Sequence, residues 1–387
     1  MAKEGKIKGF KDFIGPEAIK RAKIRKIIEE NFLLYGFEPA ETPTIESEEF
    51  VKGENSDDEA VSETFKLEDR GKRNLALRYE FTFQLKRIAR NQKLPYKRYQ
   101  IGRVFRDEPV TKNRLREFTQ CDADVIGSTP KDEVETLALA KKILDELKID
   151  STIYVNSRKL LNEILVSEDI KEKNRDQVLR ELDKLDKLPK ADVAKNLKPL
   201  GAEKILKVVD KKDFEKYNFY KDIKELIKLG KSYRLELKFQ PTLARGLSYY
   251  NGTVFEIKTS EMKETICGGG AYEFNDVQSF GFSFGLDRLS MLTKIKGDNI
   301  KAQIISINQD EKSIKLAEKL RDAKISTNLI LDKTIRKALE YADIKQIEKV
   351  IFVGEEEVKE GKYKIKDMKS GKESFASESE LVKSLRE

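Results

Sequence analysis

Residues 119–125 place three polar side chains where they could hold a small charged ligand. Gln120, Asp122 and Asp124 alternate with apolar residues in this segment. Successive side chains of a strand point to opposite faces, so the three polar groups share one face of a predicted strand. Carboxylates are among the groups on which chemistry can depend in a chain without histidine. The simpler interpretation of the same pattern is a solvated outer face of a sheet.

Residues 75–83 show a similar alternation when they are treated as a strand. Arg78, Glu80 and Thr82 then share one face, whereas Phe81 belongs to an apolar face that packs into a core. A solvent-exposed surface would explain this polar face as well. Two polar strands close together along the chain nevertheless favour a common binding surface.

An arginine-rich hairpin is predicted between 99 and 118. It contains Arg103, Arg106, Arg114 and Arg116. The planar guanidinium group matches phosphate oxygens with two parallel hydrogen bonds, so these side chains could clamp a phosphate. Hairpin arginines are more often exposed to solvent, and the spacing alone leaves both interpretations open.

A third polar constellation begins at Arg245, which is followed by a glycine that lets the backbone approach a ligand closely. Tyr249 and Tyr250 supply hydroxyl groups and an aromatic wall. The glycine run 268–270 precedes Tyr272, and by itself it is most simply a flexible turn.

The absence of histidine from all 387 residues narrows the possible chemistry. A histidine general base, a histidine metal ligand and any Ser-His or Cys-His nucleophilic pair are excluded. The two cysteines, Cys121 and Cys267, have no metal-binding or redox spacing. The sequence therefore predicts reduced thiols in a reducing compartment and no metal site built from protein ligands alone.

Charge and hydropathy limit the partners of the chain. The 77 Lys and Arg against 69 Asp and Glu leave a formal charge of +8, with both signs mixed along the chain. This excess fits a nucleic-acid partner without requiring one. The first residues lack the apolar core of a signal peptide, and no apolar run approaches the roughly 18 residues that span a bilayer. We therefore expect a soluble cytoplasmic protein without a membrane partner.

The periodicity of apolar residues predicts the elements that position these groups. Helical spacing covers 17–35, 131–149 and the Lys/Glu/Leu-rich block 158–230. Period-two alternation covers 74–127 and resumes at 233–257, running on to a helix near 285–295. After a linker at 294–301, strand and helix signals alternate: strands at 302–307, 325–331 and 349–353, and helices at 311–323 and 333–343.

These elements predict an α+β fold with an antiparallel sheet flanked by helices, interrupted by a helical insertion and followed by a small α/β domain. The predicted boundaries are 1–150 and 231–296 for the two parts of the main domain, 151–230 for the insertion and 302–387 for the C-terminal domain.

Taken in order, the segments resemble the signature motifs of class II aminoacyl-tRNA synthetases. The segment 37–43 after the first helix resembles motif 1, residues 105–118 resemble motif 2, and 284–288 resemble motif 3. Residues 245–250 together with Phe255 and Glu256, and residues 269–272, are similar to the two signatures of the histidine-specific members. The likeness covers nearly the whole chain.

The resemblance implies a role for each matching residue. Arg106 and Arg245 would be the catalytic residues, Arg106 on the α-phosphate and Arg245 between that phosphate and the amino-acid carboxylate. The histidine-binding residues implied are Glu80, Phe81, Thr82, Arg106, Gln120, Asp124, Arg245, Tyr249, Tyr250 and Tyr272. The ATP-binding residues implied are Arg106, Glu108, Arg114, Phe118 and Arg288.

The resemblance also implies an activity and its partners. The expected enzyme is an aminoacyl-tRNA ligase that activates L-histidine with ATP, with Mg²⁺ on the phosphates, and transfers it to its cognate tRNA. Motif 1 implies a homodimer, and 302–387 resemble an anticodon-binding domain. Two alternatives stay open: the synthetase-like regulatory subunit of ATP phosphoribosyltransferase, which normally lacks that domain, and a non-catalytic sensor of histidine or tRNA.

Four positions depart from the usual pattern of the family. Ser248 and Glu273 each stand in place of Asp, Ala271 stands in place of Arg, and Thr119 is found where many members carry His. None of these positions is assigned to histidine or ATP.

Overall fold

The computed structural model describes residues 5, 7–53, 63–111, 113–186, 188–210, 213–245, 249–274 and 276–386. The chain forms two compact units, Met1–Ile295 and Lys296–Glu387. Among the described residues, no helix combines the length and apolar character that crossing a bilayer requires.

The first unit contains an eight-stranded sheet, a three-stranded sheet and ten α-helices among its described residues. Its strands are β1 (Glu38–Pro39), β2 (Ile45–Ser47), β3 (Lys66–Glu68), β4 (Asn74–Leu77), β5 (Tyr96–Phe105), β6 (Glu117–Ile126), β7 (Thr152–Ser157), β8 (Leu237–Phe239), β9 (Tyr250–Thr259), β10 (Met262–Phe274) and β11 (Val277–Gly285). Its helices are α1 (Gly15–Leu34), α2 (Glu48–Lys52), α3 (Thr82–Ile88), α4 (Pro130–Glu146), α5 (Arg158–Ser167), α6 (Glu172–Leu182), α7 (Lys190–Leu197), α8 (Ile205–Asp210), α9 (Tyr220–Ser232) and α10 (Leu286–Leu292).

The large sheet has the order β1-β5-β6-β11-β10-β9-β7-β8. Its five central pairings, from β5 to β7, are antiparallel, and only the two edge pairings, β1 with β5 and β7 with β8, are parallel. The predicted antiparallel sheet is confirmed.

One face of the large sheet is covered by helices α1 and α4. In α1 the fully buried Ile24, Ile28 and Phe32 recur every four residues, which aligns them on one side of the helix. Complete burial of each such side chain contributes about 1.5–3 kcal/mol. Helix α4 begins with a capping box between Thr129 and Asp132. The predicted helices are confirmed, and they hold the sheet that carries the polar groups.

The predicted strand over 75–83 is wrong in its second half. Strand β4 ends at Leu77, and helix α3 begins at Thr82. Arg78 lies in the turn between them, where its guanidinium donates to the carbonyl oxygens of Thr42 (2.7 Å) and Arg103 (2.8 Å). Alternation alone cannot distinguish a strand from a short strand followed by a turn and a helix, because a turn residue can also hold a polar side chain inward.

The helical block between β7 and β8 has its own apolar core. Leu161, Val178 and Leu197 are among the buried residues of this core. Helix α9 joins the core to the main sheet, because Ile223 packs into the block and Leu226 packs into the main core. Strands β7 and β8 pair in parallel on either side of the block, so the chain returns to the same sheet.

The second unit is an α/β domain, as predicted. Its strands are β12 (Ala302–Ser306), β13 (Thr327–Ile330), β14 (Lys349–Val353), β15 (Tyr363–Asp367) and β16 (Glu373–Ala376), and its helices are α11 (Asp310–Asp322), α12 (Ile335–Ile344), α13 (Glu355–Glu360) and α14 (Glu378–Arg386). The strand order is β13-β12-β14-β15-β16, parallel for the first three strands and antiparallel for the last two. The sequence pattern predicted elements as far as β14, and the four elements that follow it were not predicted.

Candidate active site

The polar face of β6 is buried, which contradicts the interpretation as a solvated surface. Gln120, Asp122 and Asp124 are only 6%, 5% and 4% exposed. The amide of Gln120 donates to Ser283 Oγ on β11 at 2.8 Å and to Asp122 Oδ1 at 3.2 Å. Buried polar groups need such partners, since an unpaired one costs about 1–3 kcal/mol. The face is therefore an organised polar interior.

Two side chains hold Asp124, and a glycine leaves room for it. The hydroxyl of Tyr272 on β10 donates to Asp124 Oδ1 at 2.6 Å, and Arg98 Nη2 on β5 lies 2.9 Å from Asp124 Oδ2. Gly281 on β11 leaves the space that the carboxylate fills, because a Cβ there would lie 2.0 Å from Oδ1. Asp124 does not point into an apolar core.

The two carboxylates of this face have raised pKa values. Burial raises the pKa of Asp122 to about 6, although Arg98 opposes the shift. Burial also raises the pKa of Asp124, whereas Arg98 and the Tyr272 hydroxyl act against that rise. Both effects follow from the cost of placing an anion in a medium less polar than water.

Three tyrosines line the site beside Asp124. The ring of Tyr249 is centred 4.7 Å from the Tyr250 ring and 5.7 Å from the Tyr272 ring. Burial raises the pKa of Tyr249, and the nearby Tyr250 hydroxyl and Glu80 carboxylate raise it further. Glu80, although it is not on a strand, therefore faces the same tyrosines that approach Asp124.

Arg245 lies beside Tyr250 in a strained backbone conformation. Its φ is +61°, in the left-handed region that non-glycine residues rarely adopt. Its backbone N–H donates to Asp183 Oδ1 at 3.0 Å, and its Nη1 donates to Glu256 Oε1 at 2.8 Å. Burial alone would lower the pKa of Arg245, but Tyr250 and Glu256 raise it above its ordinary value, so the side chain is a fixed cation.

The glycine run is part of strand β10, which corrects its interpretation as a flexible turn. A Cβ at Gly268 would lie 2.5 Å from Arg245 Nη1, so the missing side chain lets the guanidinium lie against the strand. Residues 246–248 lie outside the described residues. They include Ser248, one of the four positions that depart from the usual pattern of the family.

Arg106 connects the arginine-rich hairpin to the polar face. Its Nη2 donates to Gln120 Oε1 at 3.4 Å, its Nε donates to the Tyr79 carbonyl at 3.2 Å, and its guanidinium carbon lies 5.3 Å from the centre of the Phe118 ring. A cation above an aromatic ring is attracted to it and is also oriented by it.

Arg288 forms a cationic cluster with Arg114 and Arg106 of the arginine-rich hairpin. Arg288 donates to the Thr265 carbonyl at 2.8 Å. Burial lowers the pKa of Arg288, and the nearby Arg114 and Arg106 lower it further, while Glu264 and Glu108 oppose them. Three arginines this close repel one another, so the group favours an anionic ligand.

The hairpin does not bring all four of its arginines together. Arg103 pairs with Glu117 at 3.3 Å, and Arg116 pairs with Asp107 at 3.1 Å. Arg114 contacts Glu108 at 3.0 Å and stays close to Arg288. The predicted clamp therefore contains Arg106 and Arg114 but neither Arg103 nor Arg116.

The remaining predicted positions differ in their surroundings. Phe81 is fully buried and lies beneath the Arg78 guanidinium at 4.8 Å, so its side chain supports the site from the core. Thr82 is the first residue of α3. Thr119 accepts from Arg21 Nη2 at 3.3 Å, toward helix α1. Ala271 is buried and Glu273 is exposed.

Several side chains of the site were missed at the sequence level. Arg98 and Gln100 alternate on β5 as Gln120 and Asp122 do on β6, and this alternation was the available signal. Glu264 and Asn113, hydrogen bonded to each other at 3.1 Å, carried no comparable pattern.

Two further observations concern metal ligands and cavities. No group of three or more His, Cys, Asp or Glu side chains converges as a metal site within the described residues. A cavity of about 430 Å³ is lined by residues of 36–38 and 91–97, none of which was predicted for the site.

Comparison with known proteins identifies the family. The family model described as histidyl-tRNA synthetase matches residues 9–289, and the anticodon binding domain model matches residues 301–387. The chain is 33% identical to histidine–tRNA ligase 1 of Bacillus cereus, covering 95% of this chain and 94% of that protein. It is 31% identical to histidine–tRNA ligase of Clostridium tetani, covering 100% and 99%.

Solved structures agree with the sequence comparisons. The crystal structure of histidyl-tRNA synthetase from Nostoc sp. PCC 7120 matches with a TM-score of 0.86 and 25% identity, covering 100% of this chain and 99% of the other. A Bacillus halodurans structure described as an ATP phosphoribosyltransferase regulatory subunit/histidyl-tRNA synthetase has a TM-score of 0.76 at 22% identity, covering 91% and 98%, and shows the shared fold. The family models and the nearly full-length relatives together establish that this chain belongs to the histidyl-tRNA synthetase family.

Proposed function

We propose that this protein is a histidine–tRNA ligase, which forms histidyl-adenylate from L-histidine and ATP and then transfers histidine to its cognate tRNA. The observation that carries the proposal is a row of buried and half-buried side chains that links a carboxylate to a fixed cation. It runs from Asp124 through Tyr272, Tyr249 and Tyr250 to Arg245.

Histidine recognition follows from the donors and acceptors of this row. An imidazole ring presents a nitrogen at each end, one donor and one acceptor in its neutral form. Asp124 would accept from one nitrogen and the Tyr250 hydroxyl would donate to the other. Tyr249 and Tyr272 would line the ring, and Glu80, Thr82 and Gln120 would bind the ammonium group. A site built from such partners rejects ligands that lack them by roughly 10⁴-fold or more.

The arginines would bind the groups that react. Arg106, oriented by Phe118 and by Gln120, would bind the α-phosphate, while Arg245 would bridge that phosphate and the histidine carboxylate. The carboxylate attacks the α-phosphorus and pyrophosphate leaves. Fixed cations stabilise the added negative charge of the transition state without the reorganisation that water would need. Arg288 and Arg114 would bind the pyrophosphate part of ATP. Glu108, whose Oε2 lies 3.0 Å from Arg114 Nη1, would orient that arginine.

The second step needs no protein nucleophile. The terminal ribose hydroxyl of tRNA attacks the adenylate carbonyl, an ester forms as the acyl–phosphate bond breaks, and AMP leaves as the hydroxyl gives up its proton to a phosphate oxygen or to solvent. Arg106 and Arg245 would stay bound to the phosphate of AMP. This fits a chain that contains no histidine.

Mg²⁺ fits the site as a companion of ATP. It usually binds one or two carboxylates and takes its other ligands from phosphates and water. Glu264 and Glu108, both close to Arg288, are the carboxylates that would hold it. When bound, the ion neutralises charge on the phosphates of the leaving group.

The remaining parts of the proposal concern assembly and location. Residues 302–387 would read the anticodon, the block 151–230 would approach the acceptor stem, and the parts 1–150 and 231–296 would form the catalytic domain. The segment 37–43 would contribute to a homodimer. Charging tRNA for protein synthesis places the enzyme in the cytoplasm.

Histidine-dependent exchange of labelled pyrophosphate into ATP tests the proposal directly. The purified protein is expected to catalyse exchange with histidine and with none of the other nineteen amino acids, and to charge a histidine tRNA transcript. Asp124→Asn is expected to lose exchange by about 10²-fold or more, since a charged acceptor is lost. Exchange with a different amino acid would refute the substrate assignment.

The regulatory subunit is the second candidate, because the Bacillus halodurans structure carries both descriptions. The match to the anticodon binding domain favours the ligase. A regulatory subunit or a sensor would bind histidine in equilibrium dialysis but would show no exchange and no tRNA charging.

A further inference from the structure

Arg98 is the most deeply buried charged side chain of the large sheet and has no part in the reaction described above. It is fully buried, and its Nη2 lies 2.9 Å from Asp124 Oδ2. None of its three guanidinium nitrogens makes a hydrogen bond within the part of the chain that the structure describes, so its contact with Asp124 is an ion pair. Burying a guanidinium with so few partners is costly, so its charge must be compensated by the carboxylates around it.

The carboxylates near Arg98 outnumber it. Asp122 and Asp124 follow each other on one face of β6, and both interact with this single arginine. Two buried anions repel, and one cation cannot neutralise both. Arg98 is in direct contact with Asp124, whereas Gln120 and Ser283 supply the hydrogen bonds of Asp122. The negative charge is therefore stabilised most strongly on Asp124, and Asp122 can take up a proton first.

Asp124 retains the capacity to bind a ligand while it is held. A carboxylate has about four lone-pair sites. Tyr272 uses one at Oδ1, and Arg98 contacts Oδ2 from within the sheet. Lone pairs stay available for an imidazole N–H that approaches from the tyrosine-lined side.

We propose that Arg98 is the positioning residue of the histidine pocket: from the neighbouring strand, on the same face of the sheet, it fixes Asp124 as an ionised acceptor for the imidazole ring, and thereby sets the preference for histidine. The inference rests on the proposed function, since it assigns Asp124 to the ring. Arg98 itself contacts neither histidine nor ATP.

The pH dependence of histidine binding separates this role from a merely structural one. The groups that face Asp124 are Arg98 on β5, Asp122 on β6 and Tyr272 on β10, and Tyr96 interacts with Arg98 farther along β5. Loss of the Arg98 charge raises the pKa of Asp124, so a protonated and poorly accepting Asp124 becomes more common as the pH falls. The imidazole of free histidine titrates too, so each variant is compared with the parent at the same pH.

Arg98→Met is the primary test, measured in pyrophosphate exchange with the full-length protein. The KM for histidine is expected to rise about tenfold or more at pH 8, and the ratio to the parent is expected to be larger at pH 6. The KM for ATP and kcat stay within about twofold of the parent, because the arginines of the triphosphate site are unchanged. Arg98→Lys, which retains a charge, recovers most of the affinity and the parental pH dependence.

Lys97→Met is the matched control, because Lys97 is the neighbouring residue of β5 and pairs with Glu135 on the helical side of the sheet. It is expected to behave as the parent. A folded Arg98→Met protein with parental histidine KM at both pH values would overturn the inference while leaving the proposed function intact. Absence of histidine-dependent exchange in the parent would instead overturn the proposed function.

A second pair of variants covers the case in which Arg98→Met does not fold. Arg98→Met combined with Asp122→Asn removes one cation and one anion, which preserves the charge balance of the buried face. The double variant is expected to have a histidine KM at least tenfold above that of Asp122→Asn alone. Equal KM values in these two proteins would contradict the role of Arg98.

Discussion

The two faces of strand β6 are both buried, but by opposite means. On one face Cys121, Ala123 and Val125 are fully buried against apolar side chains, including Phe32 of α1 and Phe282 of β11. On the other, the alternate residues Gln120, Asp122 and Asp124 are buried among hydrogen bonds and the ion pair to Arg98. The first face stabilises the sheet by removing apolar area from water, and the second holds charges at a cost in stability so that a charged ligand can bind.

This difference predicts separate responses to substitution. Changes on the apolar face should lower the free energy of unfolding and leave the kinetics of the folded protein nearly intact. Changes on the polar face should alter kinetics or pH dependence, and removal of a buried charge there should raise stability rather than lower it.

Phe32→Ala on the apolar face is expected to have the largest effect. Phe32 is fully buried, and its ring lies 5.1 Å from the Tyr99 ring and 6.0 Å from the Phe282 ring. Its removal leaves a cavity, and the free energy of unfolding is expected to fall by about 3–5 kcal/mol. Denaturant unfolding measures the loss. Lys26→Ala on the exposed side of α1 is the control, and a comparable loss there would contradict the assignment of faces.

Arg245→Ala on the polar face is expected to lower kcat for pyrophosphate exchange by about 10²–10³-fold, while the dissociation constant for histidine changes much less. The fixed cation acts on charge that develops during the reaction, and Asp124 and Tyr250 continue to bind the ring. Single-turnover kinetics and equilibrium dialysis separate the two quantities.

Arg234→Ala is the matched control for Arg245→Ala. Arg234 has a similar backbone, with φ of +58°, but its side chain is exposed. Its replacement is expected to leave exchange unchanged. Equal rates for Arg245→Ala and the parent would remove Arg245 from the reaction.

The sequence predicted the apolar face of β6 more fully than the polar one. Alternation in 119–125 predicted a strand with an apolar side opposite its polar one, and helical spacing predicted a helix over 17–35. The structure packs the two together, with Cys121 and Phe32 in one core. The reason is physical: apolar residues pack wherever the period places them, so local pattern determines which face they occupy.

The polar face depended on contacts that no local pattern contains. Its groups come from β5, β6, β10 and β11, and the Arg98–Asp124 pair exists only because of the strand register. The resemblance to a family indicated Asp124 and Arg245, but it gave no role to Asp122 or Arg98.

The segment after β4 shows a second limit of sequence reading. Glu80 and Thr82 were predicted on a strand, but Glu80 lies in the turn after β4 and Thr82 is the first residue of helix α3. Glu80 still faces Tyr249, because the turn that follows Leu77 directs it there. The proximity of the residues was anticipated, but the element that creates it was not.

Asp122→Asn is expected to stabilise the protein at neutral pH. Burial raises the pKa of Asp122 from an ordinary 3.8 to about 6 in the folded state. Between these two pH values the folded state therefore binds more protons than the unfolded state. As a result, the free energy of unfolding falls as the pH rises from 3.8 to about 6, and it levels off above pH 6. At about 1.4 kcal/mol per pKa unit, removing the charge restores about 3 kcal/mol above pH 7 and roughly half of that at pH 5.

Thermal unfolding of Asp122→Asn and the parent at pH 5 and pH 7.5 measures this difference. Asp150→Asn, which removes an exposed carboxylate, is the control and is expected to change neither curve appreciably. A stabilisation by Asp122→Asn that is the same at both pH values would show that its charge is not the cause.

Tyr272→Phe is expected to have the smallest effect, because it removes one of two groups that hold Asp124 and leaves the other. The lost hydrogen bond measures 2.6 Å, and a bond to a charged group contributes about 1.5–3 kcal/mol. Since Arg98 still stabilises the carboxylate, the histidine KM should rise only about tenfold, with kcat nearly unchanged. Tyr363→Phe removes a similar bond, from Tyr363 to Glu378 at 3.2 Å in the C-terminal unit, and should leave the KM as it is. If Tyr272→Phe instead lowered stability by as much as Phe32→Ala with a parental KM, the polar face would serve packing, and the distinction between the two faces of β6 would fail.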